Sequence, residues 1–238
     1  MDIKELGQLD GPPEDHWYYA SKFALLSIAV EALGARHVVD IGAGSGVFSR
    51  LLLERTGCAS ALCVDPAYEV EEDVEIGGKL LRFRRQYDGS PVDLVLMMDV
   101  LEHVDDDVAL LQDVMGPIAP GTPLFVTVPA FTFLWSAHDV FLEHRRRYTR
   151  ATLQAALRSA GLKIDWTRYF YAVIFPLAAA VRFLRRGRTP SGGSDLRPVP
   201  GFVAAVLKAA LRLELRFLFP YLRLPGLSVV ALARTAGR

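Results

Sequence analysis

Three stretches of this 238-residue chain carry residues whose types and spacing do chemistry. In VVDIGAGSG (38–46) a β-branched run meets Gly42, Gly44 and Gly46. Glycines there permit a tight turn and let backbone N–H groups approach a ligand at the start of the next helix. HDVFLEHRRRYT (138–149) crowds two histidines, two acids and three arginines behind an apolar run. Histidine titrates near neutrality and suits proton abstraction from a hydroxyl. MMDVLEHV (97–104) contains D-x-x-E-H, two acids and an imidazole just past an apolar run.

Charge selects the ligand of the glycine loop. The dinucleotide pattern G-x-G-x-x-G needs glycine at 47, where Val47 stands. Asp40 precedes the turn and would repel a pyrophosphate, whereas it suits the sulfonium and ammonium of S-adenosylmethionine. A second apolar run, ALCVD (61–65), ends in Asp65, 19 residues past Gly46. An acid there can accept both ribose hydroxyls of a nucleoside. These features disfavour a nicotinamide-dependent oxidoreductase. A SAM-binding scaffold without turnover is the non-enzyme rival, and the intact loop 138–149 disfavours it.

D-x-G-x-G-x-G, CVDP and DLVLMMDVLEHVDDD together resemble the class I SAM-dependent methyltransferases, over roughly residues 15–171. The segment W…H-D…H-x-R-R-Y-T resembles one subgroup of them. The resemblance implies that Asp40, Gly42, Ala43, Gly44 and Gly46 hold the methionine part. It places Asp65 and Pro66 at the ribose and Met98 and Asp99 beside the methionine end. Gln86 or Asp88 would meet the adenine. The subgroup's loop residues are Trp135, His138, Asp139, His144, Arg146, Arg147, Tyr148 and Thr149 here. His138 or His144 is the candidate base, with Asp139 or Glu143 orienting its ring. Arg147 is the arginine expected to bind an anionic group on the substrate, and Trp135 and Tyr148 are further substrate candidates. Tyr18 or Tyr19, from HWYY on the first helix, would shield the site from water. D-x-x-E-H is similar to the E-x-x-E-H metal motif of some quinone-pathway O-methyltransferases. The reading adopted is no metal, with Asp99 facing the cofactor while Glu102 and His103 pack and cap the next helix. Asp99, Glu102 and His103 as ligands form the alternative.

The elements that must position these residues follow from periodicity. Helices are expected at 15–33, 47–57, 105–116 and 149–161, the last capped by Thr149. Strands are expected at 36–42, 61–65, 79–85, 92–98, 122–129, 163–171 and 227–233. Alternating strands and helices imply an α/β fold with a doubly wound, mostly parallel seven-stranded sheet, Rossmann-like, whose ligands sit beyond the C-terminal strand ends. The expected organisation is a single domain: an N-terminal helical lid (1–34), a cofactor-binding core (35–171), an apolar and basic helical insertion (172–226) and a last strand with the C-terminus (227–238). Within the insertion, 185–201 reads as flexible.

Composition is 51% hydrophobic with zero formal charge. The charge is uneven: residues 182–238 hold 11 Lys/Arg against 2 Asp/Glu. That basic, apolar quarter points to an anionic membrane surface, a lipid-like acceptor or a homodimer interface. Its basic residues are interleaved with aliphatic rather than exposed aromatic residues, which argues against nucleic acid. Cys58 and Cys63 lack metal-type spacing and suit a reducing compartment. MDIKELGQLD lacks the apolar core of a signal peptide, so a cytoplasmic protein, peripheral to the membrane, is expected. The expected function is SAM-dependent methyl transfer to a small or lipophilic acceptor at oxygen. Nitrogen or carbon acceptors are the alternative.

Overall fold

The computed structural model describes residues 11–184, 200–221 and 224–235. Eight strands form one sheet: β1 (His37–Ile41), β2 (Ser60–Val64), β3 (Glu72–Ile76), β4 (Lys79–Arg84), β5 (Leu94–Met98), β6 (Pro123–Pro129), β7 (Leu162–Phe170) and β8 (Ser228–Thr235). Their spatial order is β3-β4-β2-β1-β5-β6-β8-β7. Strands β4, β2, β1, β5 and β6 are parallel. β8 runs antiparallel between β6 and β7. Chain order reverses direction between β1 and β5, so the crevice for ligands opens above those two strands. β1 is apolar but for His37 and Asp40, and every residue of β5 is apolar and buried, as a central parallel strand requires.

The sheet has one strand more than expected. β3 is a short, mostly exposed, charged edge strand (EDVEI) in which only Val74 and Ile76 turn towards the core. It pairs antiparallel with β4 around Gly77 and Gly78, whose φ values of 57° and 77° suit a primed hairpin turn.

Helices cover both faces. α1 (Trp17–Leu33) and α2 (Val47–Arg55) pack on one, α3 (Asp107–Met115) and α5 (Arg150–Ser159) on the other. α1 ends at Gly34 in the left-handed conformation, φ 63°. Thr149 caps α5 as expected, accepting from the Thr152 N–H. A five-residue helix, α4 (Ala137–Phe141), lies in the loop after β6. Two helices lie between β7 and β8, α6 (Phe175–Leu184) and α7 (Gly201–Leu213), the second running into a π-turn at Glu214–Leu218. α7 and this turn join the α1 core through Leu211, Leu215 and Phe219, whereas α6 buries none of its residues. Glu214 is buried, and its carboxylate accepts the N–H groups of Ala172 and Val173 at 2.9 and 3.0 Å. It fixes the approach to α6. Most of the expected flexible stretch, 185–199, lies outside the described residues, as do 222–223.

Candidate active site

The glycine loop takes the shape its sequence requires. Gly42, Gly44 and Gly46 have φ values of 66°, 53° and 68°, which residues with a Cβ rarely adopt. A Cβ on Gly42 would lie 2.8 Å from the Val100 side chain. On Gly46 it would lie 2.8 Å from the Phe83 ring and 3.1 Å from Cys63 Sγ. Gly46→Ala is therefore expected to cost about 1–3 kcal/mol, through strain and overpacking. Its urea midpoint should fall at unchanged m-value; an unaltered midpoint would contradict this packing.

Asp65, at the end of β2, accepts the Gly44 N–H at 3.0 Å and the Ala67 N–H at 2.9 Å. It is half-buried, and Pro66 beside it is exposed. Asp40 lies beneath the loop, buried, and accepts the Ser49 hydroxyl at 2.9 Å. Burial pushes its pKa up to about 6. α2 starts at Gly46 without a side-chain cap, so its first N–H groups and dipole favour an anion there.

Asp99, just past β5, has φ 57°. It accepts from the Thr127 hydroxyl at 3.0 Å and the Tyr18 hydroxyl at 3.4 Å, and forms an ion pair with Lys22. Lys22 is buried, its ammonium 4.7 Å from the centre of the Tyr18 ring. Tyr18 stacks on Tyr171 with centroids 5.6 Å apart. Among the described residues, the non-glycine positions with positive φ are Asp99, Phe131, Glu143 and Tyr171. All four follow the C-terminal ends of β5, β6 or β7, where strain commonly accompanies function.

The loop after β6 is pinned where Tyr148 N–H donates to Pro129 and Phe131 N–H donates to Tyr148, at 2.9 and 2.8 Å. Asp139 is its hub. It is buried, closes a capping box with Ser136, and accepts from His144 Nδ1 at 2.9 Å. Arg147 grips it through Nε and Nη2 at 2.6 and 2.9 Å. Burial alone would raise its pKa; the bonds from His144 and Arg147 outweigh it and hold the carboxyl well below the usual range. The three arginines diverge. Arg145 and Arg146 donate to the carbonyls of His103, Val104 and Asp105, bracing the turn Leu101–His103. Arg147 spends its guanidinium on Asp139 and the Ala130 carbonyl.

These elements enclose a cavity of about 340 Å³. Tyr18, Asp99, Glu102, His138, His144 and Arg147 line it together with apolar residues including Trp17, Leu134, Leu142 and Val181. Glu102 is wholly buried and neither carboxylate oxygen has a hydrogen-bond partner among the described residues. Burial raises its pKa to about 8, against the pull of Lys22 and Arg147. An acid whose pKa rises on folding binds more protons folded than unfolded between the ordinary 4.5 and about 8. Its contribution to stability is thus full below pH 4.5 and lost as pH rises through 8. The melting temperature of the metal-free, ligand-free protein should fall from pH 5 to pH 8, and Glu102→Gln should flatten that fall. Equal slopes would contradict it.

Several expected site residues meet here and others do not. Tyr18, Asp99, His138, His144 and Arg147 share the cavity, with Asp139 behind them. Met98 is buried in β5, and Ala43 is buried in the loop. Tyr19 packs near Phe48 in the core. Trp135, 36% exposed, lies outside the cavity lining. The Tyr148 hydroxyl turns to Asp107 Oδ2 at 2.7 Å. Asp88 pairs with Arg82, and Gln86 is exposed. The cap of α3 is Asp106, which accepts the Ala109 N–H at 2.9 Å, so Glu102 and His103 do not cap it. Sequence reasoning missed Lys22 and Tyr171. Lys22 lies four residues after Tyr18, on the same helix face, a spacing that could have signalled it.

A model of the methyltransferase domain matches residues 16–166, more than half the chain, and the chain belongs to that family. Solved structures share its fold at low identity. The methyltransferase complexed with the Trm112 activator in Haloferax volcanii is 16% identical, with TM-score 0.54, covering 100% of this chain and 99% of its own. A sarcosine dimethylglycine methyltransferase structure from Galdieria sulphuraria is 14% identical, with TM-score 0.55 and coverages of 92% and 86%. An S-adenosylmethionine-dependent methyltransferase from Mesorhizobium loti is 17% identical, with TM-score 0.52 and coverages of 94% and 99%. No curated protein sequence matches the chain. The protein is a SAM-dependent methyltransferase. The site's chemistry fits that cofactor: a glycine cradle with no room for a Cβ, an uncapped helix start for the carboxylate, and acids on either side for hydroxyls and cations.

Proposed function

We propose that the protein methylates a hydroxyl on a lipophilic acceptor held in the cavity beside Asp99. The observation that carries this is the cavity itself, apolar over most of its wall, with His138, His144, Tyr18 and the Lys22-paired Asp99 among its lining residues. Asp65 would accept the ribose hydroxyls, and the loop Gly42–Gly46 with the start of α2 would take the methionine carboxylate. Asp99 would face the sulfonium end, its charge suited to the cation, with the Tyr18 hydroxyl beside it. Bound S-adenosylmethionine supplies the electrophilic methyl: its C–S electron pair returns to sulfur as a C–O bond forms and the acceptor's proton leaves. His138 takes that proton. It is half-buried at the cavity wall and can pass the proton to solvent. The His144 side chain is only 6% exposed, gripped by Asp139 and set edge-on to His103 at 4.8 Å between centroids. His144 and Asp139 therefore shape the wall.

α1, which carries Tyr18 and Lys22, acts as the lid, and α6 covers the acceptor through Ala178 and Val181. The experiment is methyl transfer from labelled S-adenosylmethionine to phenols and alcohols of graded apolar tail length. Rates that rise with tail length support the reading; transfer only to short, charged acceptors would sink it.

One observation favours attachment to a membrane. Leu177, Phe183, Leu184, Phe202 and Tyr221 are each at least 67% exposed, with Lys208, Arg212 and Arg216 on the same segments, whereas Arg182 lines the cavity. Among the described residues no helix is long and apolar enough to cross a membrane. These helices would lie on an anionic leaflet and admit the acceptor from it. Cosedimentation with anionic vesicles at low salt checks this; protein left in the supernatant would refute it.

A further inference from the structure

We infer that Glu102, His103 and His144 form a binding site for one divalent first-row transition ion at the floor of the acceptor cavity. The inference rests on the proposed reading of that cavity and adds a cation to it. One ligand atom from each residue lies within 4.8 Å of the others. Ligands about 2.1 Å from a shared ion sit about 3–3.5 Å apart, so modest side-chain rotation closes the set.

Charge pairing in this region supports the assignment. Asp99 has Lys22, and Asp139 has Arg147 and His144. Glu102 is as deeply buried as Asp139, yet both its oxygens stand without a hydrogen-bond partner among the described residues. A buried acid whose oxygens lack bonds is an open place for a cation to supply the missing partner. His144 is oriented as a ligand should be. Its Nδ1 lies 2.9 Å from the Asp139 carboxylate, so a neutral ring would place its proton there and offer Nε2 to an ion. Carboxylate-anchored imidazoles of this kind are the usual outer support of metal sites. His103 stands edge-on to His144. Glu102 and His144 line the cavity, so an ion reaches them by the acceptor's route. Two imidazoles and one carboxylate suit Zn²⁺, Co²⁺ or Fe²⁺ better than Mg²⁺ or Ca²⁺, which prefer oxygen. Asp99 is not a ligand, because Lys22 occupies it. At this place the ion would draw the acceptor hydroxyl down in pKa, easing the proton's departure to His138.

The test is calorimetric titration of chelator-stripped full-length protein with Zn²⁺, paralleled by Co²⁺ absorption spectra. One ion per chain is expected. Glu102→Gln, His103→Ala and His144→Ala should each weaken binding at least about tenfold. Asp99→Asn should leave it within about threefold, a margin well short of the tenfold loss set for a ligand. Melting curves and S-adenosylhomocysteine titrations confirm that each variant is folded. Absence of wild-type binding, or binding that ignores the three substitutions, overturns the inference. Loss in Asp99→Asn as large as in His144→Ala overturns the ligand set. Methyl transfer that persists without any ion defeats this inference alone and leaves the function standing.

Discussion

Asp65→Ala should lose about two orders of magnitude in affinity for S-adenosylhomocysteine. A carboxylate that accepts two ribose hydroxyls makes charge-assisted bonds, each contributing about 1.5–3 kcal/mol, and tenfold in affinity corresponds to about 1.4 kcal/mol. Part of that is offset because water solvates the ribose in the free nucleoside. The same carboxylate also holds the Gly44 N–H at 3.0 Å, so its removal loosens the cradle as well. Asp65→Asn keeps an acceptor oxygen and should fall between wild type and alanine. Calorimetry reads both. A change under threefold in Asp65→Ala would mean that the nucleoside sits elsewhere.

His138→Ala should lower kcat by about 10²–10⁴, the range of a general base, with S-adenosylhomocysteine affinity unchanged. The split between turnover and cofactor binding matters, because His138 lines the acceptor cavity and Asp65 belongs to the other half of the site. Added imidazole should recover part of the activity if the missing group is a base, and none if the side chain only shapes the loop. A loss under tenfold would reassign the proton to another group.

Much of the fold was readable in the sequence because the central strands are continuous apolar runs bounded by glycine, proline and acids. VVDIGAGSG placed a strand, a turn and a helix start together, and each lies where its pattern required. β3 was hidden because EDVEI is a short, charged edge strand, announced only by Val74 and Ile76 alternating with acids and by Gly77-Gly78. That Asp65 meets the glycine loop could be read from local spacing, since the two follow adjacent strands. The acceptor cavity could not. Lys22 meets Asp99 across 77 positions and Glu102 meets His144 across 42, pairings that only the packing of α1 and the β6 loop creates. Arg147 shows the limit of residue type as a guide. An arginine beside a site suggests an anionic ligand; this one lines the cavity but also pairs with Asp139, the third helical residue of the loop's own capping box.

The most direct measurement is a crystal structure of the protein with S-adenosylhomocysteine. The ribose hydroxyls should rest on Asp65 and the sulfur should point into the cavity between Tyr18 and Asp99, towards His138. A nucleoside bound away from Asp65, or a sulfur turned away from that cavity, would contradict the account.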